Sequence, residues 1–427
     1  MIKKAIRTGL QLGFSSTARN LYWVFSSNFI SIILTFFTLI VVIANRIPKA
    51  DNGIFLALFT LANLLSDLGE AGLGSALSSF VPPLIIAKKP AAAQQYVATA
   101  FRIELLIGVI LLIILIPSST LVSHILFANT PVINVIITAI LTFTMVLQGY
   151  STLALSAYQK FREVSVLNIF YSLIRLAFLI LVLLVFKLTI FSILVVYVLS
   201  SVLSWFYSLL FLKTGFMFTP SSKPDRNKLL HFSSFLALQK VFISLYSRLD
   251  VLMMVPLAGA VAAGVYGVAS RFSLVYPLVI SSLGQVLAPK FAEFAKGRDA
   301  LGFFKNVALV IGLLLISELL FYIGAPSLRT VLVPKYPEAI PVFRGLLISL
   351  TGFIIATPFV SFLIYTLKKP FITTISSFIQ LMIIFVANLL FIPRFKEFGP
   401  IIGIGISNAV MCVIAIAATW YFLRKDI

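Results

Sequence analysis

The sequence predicts an all-α polytopic membrane protein, twelve transmembrane helices in two pseudo-symmetric six-helix lobes. Three observations predict it: 60% hydrophobic residues against 11% charged, a dozen apolar stretches of spanning length, and a weak repeat relating the two halves of the chain. A soluble domain needs far more polar surface than this composition supplies, and a mean hydropathy of +1.10 makes lipid the solvent for most of the chain.

The apolar stretches fall near 21–43, 54–83, 95–116, 132–157, 164–186, 189–212, 229–256, 260–289, 301–324, 339–366, 371–392 and 400–423. Each is long enough to cross a hydrocarbon core about 30 Å thick. Asp67, Glu70 and the glycines Gly69, Gly72 and Gly74 interrupt the second, and Arg271 and Pro277 interrupt the eighth. Such helices belong to bundles with polar interiors, and the glycines read as close helix packing. The first twenty residues carry Lys3, Lys4, Arg7 and Arg19 but lack the apolar run and cleavage site of a signal peptide. They predict a short amphipathic helix on the cytoplasmic face.

With the N-terminus in the cytoplasm, the inside segments hold 19 Lys and Arg residues and the outside loops hold 7. This positive-inside bias predicts that both termini are cytoplasmic. It also accounts for the formal charge of +20, making membrane lipid the expected partner and excluding nucleic acid. The single cysteine, Cys412, lies within the last apolar stretch, and His124 and His231 belong to no metal-spaced cluster. There is no nucleotide-binding glycine loop and no catalytic constellation. The sequence therefore predicts no cofactor, no metal and no enzyme activity.

The segment KTGFMFTPSSKPDRNK at 213–228, near the midpoint, reads as a cytoplasmic linker between lobes at 1–212 and 229–427. A shift of 211 residues sets Gly53, Ile54 and Phe55 on Gly264, Val265 and Tyr266. A shift of 210 sets TPVIN at 130–134 on IPVFR at 340–344, and one near 208 brings Tyr158, Lys160 and Phe161 beside Tyr365, Lys368 and Lys369. Six helices separate equivalent points, so the repeats share one orientation and their axis runs along the membrane normal.

Four segments, in order and on matching helices, resemble the Wzx-type polysaccharide flippases of the multidrug, oligosaccharidyl-lipid and polysaccharide exporter superfamily. They are DNGIFLALFTLANLLSDLGEAGLGSAL at 51–77, SRLDVLMMVPLAGAVAAGVYGVASRF at 247–272, LVPKYPEAIPVFRGLLISL at 332–350 and ANLLFIPRFKEFGPIIGIGIS at 387–407. The resemblance implies lobes around a central cavity. It also implies transfer of an isoprenoid pyrophosphate-linked oligosaccharide from the cytoplasmic to the outer leaflet by alternating access, for cell-surface polysaccharide biosynthesis in the bacterial inner (plasma) membrane. Polysaccharide assembly proteins are then further partners. Members with fourteen helices are longer; this chain is expected to hold twelve.

The informative residues are the ionisable ones within spans: Asp67, Glu70, Arg102, Glu104, Arg175, Lys240, Arg248, Asp250, Arg271, Glu318 and Arg344. Each costs about 2.5–3.5 kcal/mol to insert at the centre of a span, so it faces a cavity or a partner. Arg102 and Glu104 lie near a helix end and are expected to snorkel to the interface. Lys240 and Arg248 stand about 80° apart around a helix and can face one cavity. With Arg271 and Arg175 they make a candidate cationic set for a pyrophosphate, since Arg offers paired donors and Lys a mobile charge. Asp67, Glu70 and Asp250 are either the structural partners of these cations or coupling sites for H+ or Na+. Arg248 and Asp250, two residues apart, point to different sides. Asn28, Gln148, Tyr150, Tyr246 and Tyr276 suit sugar contacts and interhelical hydrogen bonds equally. Two other functions compete with the flippase. An ion-coupled multidrug exporter of the same superfamily would favour a carboxylate-lined cavity. A membrane polysaccharide polymerase or glycosyltransferase would need a large catalytic loop, and the loops here are short.

Overall fold

The computed structural model describes residues 16–70, 72–212, 215–219, 237–292, 294, 301–328 and 334–425, and within them every regular element is helical. In chain order the helices that matter here are α1 (Ser16–Phe36), α2 (Lys49–Glu70), α3 (Leu73–Ile86), α4 (Pro90–Leu115), α5 (Ser119–Leu126), α6 (Val132–Ala157), α7 (Phe161–Val185) and α8 (Ile190–Leu212). They continue with α9 (Ala237–Tyr246), α10 (Leu249–Ala258), α11 (Ala260–Ser273), α12 (Val275–Ala292), α13 (Leu301–Gly324), α14 (Ala339–Tyr365), α15 (Pro370–Phe395) and α16 (Gly399–Lys425). The surface helix expected before residue 16 and most of the 213–228 linker lie outside the described residues.

The twelve expected spans are recovered with three internal breaks. Among the described residues, ten helical stretches are long and apolar enough to cross a membrane, and the pair α9–α10, bent by 40° at Ser247 and Arg248, adds another. The last stretch, 371–424, holds two helices, α15 and α16, parted by a turn at Lys396–Phe398. The second span, read from the sequence as one helix over 54–83, is two. Gly72 adopts φ 72°, which a residue with a side chain resists, and α3 restarts from it. The eighth span likewise parts at Leu274, and Pro277 occupies the first turn of α12, where its missing N–H leaves no bond unmade. Side chains such as Ile113, Leu184, Leu210, Leu320 and Ile323 are largely exposed, as a lipid-facing surface requires.

The chain clusters into two units. The first comprises residues 1–43, 61–123 and 130–241, and the second 44–60, 124–129 and 242–427. In the first, Leu73, Leu77, Tyr96, Val97, Phe101, Tyr150 and Leu155 form a buried core among α3, α4 and α6. Packing of α6 on α8 adds a polar ladder. Ser201 donates to the Thr144 hydroxyl and Ser208 to the Ser151 hydroxyl, each at 2.7 Å, and the two rungs repeat after seven residues on both helices. A seven-residue repeat keeps one seam of two helices in register over two turns. In the second unit Phe291 sits among Phe303, Phe304 and Phe362, with ring centroids 5.4–5.7 Å away.

Three turns share one construction. Lys88, Gln159 and Lys368 each take φ between 53° and 58°, and the residue after each, Lys89, Lys160 or Lys369, caps the next helix. Proline opens two of those helices, at Pro90 and Pro370, where its fixed φ is already helical. Two of the turns, at Ile85–Pro90 and at Tyr158 and Lys160, line one cavity of about 510 Å³.

Candidate functional site

The first unit brings together three charged groups that the sequence scatters over 170 residues. Glu70 is the last residue of α2, where the negative end of the helix dipole disfavours a carboxylate. Lys240 on α9 answers it, its ammonium donating to a Glu70 carboxylate oxygen as a part-buried salt bridge. Room for that carboxylate comes from Gly74: a β-carbon there would lie 2.7 Å from Glu70 Oε1 and equally close to Leu153. Gly69 packs in the same way, its would-be β-carbon 2.9 Å from Val146.

Glu104 is the third member. On α4 it is 1% exposed, within electrostatic reach of Glu70 and Lys240, and its Oε1 has no hydrogen-bond partner among the described residues. The burial of Glu104 does not fit the expectation that both Arg102 and Glu104 snorkel outward. Arg102 is exposed and donates to the Thr219 carbonyl at 2.6 Å. Residues two apart on a helix point to different sides, so one reaches outward while the other is carried inward. Asp67, three residues before Glu70, is half-buried.

Arg175, the other expected cation of the first unit, is 3% exposed and held structurally. Its guanidinium donates to Thr35 Oγ1 at 2.6 Å and lies between the rings of Tyr171 and Tyr197, at 5.1 and 5.0 Å. Ring faces attract a cation within about 6 Å, so this arginine ties α1, α7 and α8 together. Tyr150, a candidate sugar contact, donates to the Val97 carbonyl at 3.0 Å from a fully buried position.

In the second unit Arg248 is half-buried at the break between α9 and α10, and caps α10. Asp250 is buried and accepts a hydrogen bond from the Tyr266 hydroxyl of α11. Arg271, half-buried on α11, lies 6.0 Å from the Phe59 ring and within electrostatic reach of Asp250. Glu318, 6% exposed on α13, accepts from Thr351 at 3.2 Å, which supplies the partner its sequence position lacked. Arg344 donates to the Tyr322 carbonyl at 2.9 Å. Tyr276 lies 3.4 Å from the Ser317 hydroxyl.

Among the described residues, the spans thus hold half-buried basic groups, of the kind that bind phosphate, and buried carboxylates, of the kind that hold protons or cations.

A family model described as polysaccharide biosynthesis protein matches residues 17–295. No curated protein matches significantly. Solved structures do. The inward-facing conformation of a multidrug resistance MATE family transporter of the MOP superfamily is 14% identical, with a TM-score of 0.74 over 93% of this chain and 94% of that one. The lipid II flippase MurJ in an inward closed conformation is 16% identical, with a TM-score of 0.75 over 92% and 87%. A mutant of the Vibrio cholerae MATE transporter VcmN is 18% identical, with a TM-score of 0.61 over 96% and 98%. At these identities the likeness is one of fold.

Proposed function

We propose, from the premise that this chain belongs to the polysaccharide biosynthesis protein family, that it is a flippase of the Wzx type carrying an isoprenoid pyrophosphate-linked oligosaccharide from the cytoplasmic to the outer leaflet. The family match over 17–295 carries the reading, because a chain this apolar in a polysaccharide biosynthesis family suits the movement of an intermediate across the bilayer. Lys240, Arg248 and Arg271 hold the pyrophosphate, and Asp67, Glu70 and Asp250 serve coupling to H+ or Na+. Arg175 supports the first lobe from within. The lobes at 1–212 and 229–427, joined by 213–228, rock about the headgroup while the lipid tail stays in the bilayer. The protein resides in the bacterial inner membrane with both termini cytoplasmic and works beside polysaccharide assembly proteins.

A second reading, an ion-coupled exporter of organic cations, has one observation in its favour: Glu104, Asp250 and Glu318 are buried, whereas Lys240, Arg248 and Arg271 are only half-buried. Proteoliposomes separate the two. Transbilayer movement of a fluorescent undecaprenyl pyrophosphate oligosaccharide by the intact chain, lost in folded Arg248→Ala and Arg271→Ala variants, is the expected result. No movement of that lipid together with extrusion of a cationic dye would replace the flippase with the exporter.

A further inference from the structure

We propose that Lys240 links headgroup binding to proton uptake: an anionic phosphate headgroup that draws the Lys240 ammonium from Glu70 leaves two carboxylates within the helices, Glu70 and Glu104, and the pair takes one proton from water. The inference rests on the headgroup reading above and adds the groups that respond to the headgroup's charge.

Charge balance within the cluster drives the uptake. Two carboxylates share one ammonium among α2, α4 and α9. A charge removed from water without a partner costs several kcal/mol, so such clusters settle near neutrality. While Lys240 serves Glu70, that pair is neutral and Glu104 is the remaining group, 1% exposed and with one oxygen unbonded among the described residues. Two donors, one on α4 and one on α6, are engaged elsewhere. Arg102 is turned outward to Thr219, and the Tyr150 hydroxyl on α6 is given to Val97. Asp67, three residues before Glu70 on α2, is half-buried and supplies no positive charge. Glu70 itself ends a helix, where an unanswered negative charge is further disfavoured. Transferring Lys240 to a phosphate therefore exposes a deficit of one positive charge. One O–H bond forms on a carboxylate oxygen as one breaks in hydronium or the buffer acid, whose conjugate base stays in solution, and no other bond changes.

The measurement is calorimetry of farnesyl pyrophosphate binding to the full chain in detergent, in two buffers of different ionisation enthalpy, above about pH 8, where a phosphate whose own second ionisation lies near pH 6 contributes no proton. Uptake of close to one proton per headgroup is expected, so that affinity falls about tenfold per pH unit of increase. Glu70→Gln should bind more tightly and lose most of the uptake, because Lys240 is then unopposed. Isopentenyl pyrophosphate, which has the same ionising headgroup on a shorter tail, should bind more weakly with the same uptake; uptake seen only with the longer lipid would overturn the proposal. If Glu70→Gln fails to fold, the two-buffer result on the native chain decides alone. Binding without buffer-dependent heat removes the linkage and leaves the flippase reading standing, whereas failure of the folded chain to bind either probe removes both.

Discussion

Gly53 and Gly264 meet backbone to backbone, and they do so reciprocally. A β-carbon on Gly53 would lie 2.0 Å from the carbonyl oxygen of Ala260, and one on Gly264 would lie 2.2 Å from the carbonyl oxygen of Lys49. Lys49 and Ala260 are separated by the same 211 residues as the two glycines. Each partner thus offers the other the same surface, the mark of a contact on a two-fold axis. The repeat read from the sequence is here a physical contact, with α2 and α11 crossing at equivalent points.

Gly53→Val should destabilise the protein by about 3 kcal/mol or more, because the obstacle is backbone and cannot turn aside. The control is Gly149→Ala, where a β-carbon meets nothing within 4 Å and the change should be neutral or stabilising by up to about 1 kcal/mol. Thermal unfolding in detergent compares them; equal melting temperatures for the two variants would contradict the crossing.

Arg175→Ala should cost about 2–4 kcal/mol through the loss of one charge-assisted hydrogen bond and two ring contacts, and Arg175→Lys should recover only part, since an ammonium cannot stack as a guanidinium plane does. Thermal stability is the readout. Full recovery by lysine would show that charge alone matters there.

The polar ladder between α6 and α8 predicts small, additive effects. Ser201→Ala and Ser208→Ala should each cost about 0.6 kcal/mol, typical for interhelical hydrogen bonds in membranes, and the double variant about twice that, because the rungs share no partner. A double variant no worse than either single one would mean that the rungs act as one network.

The Lys49 ammonium reaches both carboxylate oxygens of Glu338 at 2.9 Å and lies 5.6 Å from the Tyr336 ring, yet the pair is partly open to solvent. Its worth is at most about 1 kcal/mol and should fade as salt shortens the screening length. A double-mutant cycle of Lys49→Met and Glu338→Gln at low and high salt measures this; a coupling insensitive to salt would place the pair in a drier setting.

Most of the fold is legible in the sequence because its signal is crude: lipid demands apolar runs of fixed length, and α4, α6, α7, α8 and α13 begin and end within a few residues of where hydropathy puts them. The breaks are less legible. Gly72 looks like one more small residue in an apolar run, and only its φ of 72° shows that the helix stops there. Among the candidate site residues, Lys240 and Glu70 are readable as costly charges, but their pairing joins helices 170 residues apart and leaves no local trace. Glu104 is within reach of the sequence. The two-residue spacing that separates Arg248 from Asp250 separates Arg102 from Glu104 equally well, and the burial of Glu104 shows which of the two faces inward.

The three matching turns bear on how the chain enters the membrane during synthesis. Counted on the twelve-span reading, even numbers of spans separate the turns at Lys88, Gln159 and Lys368, which would set all three on one side, each with lysine at the boundary. Insertion machinery reads such charges locally and successively. Three anchors of one construction predict a topology that survives the loss of lysines at any one of them.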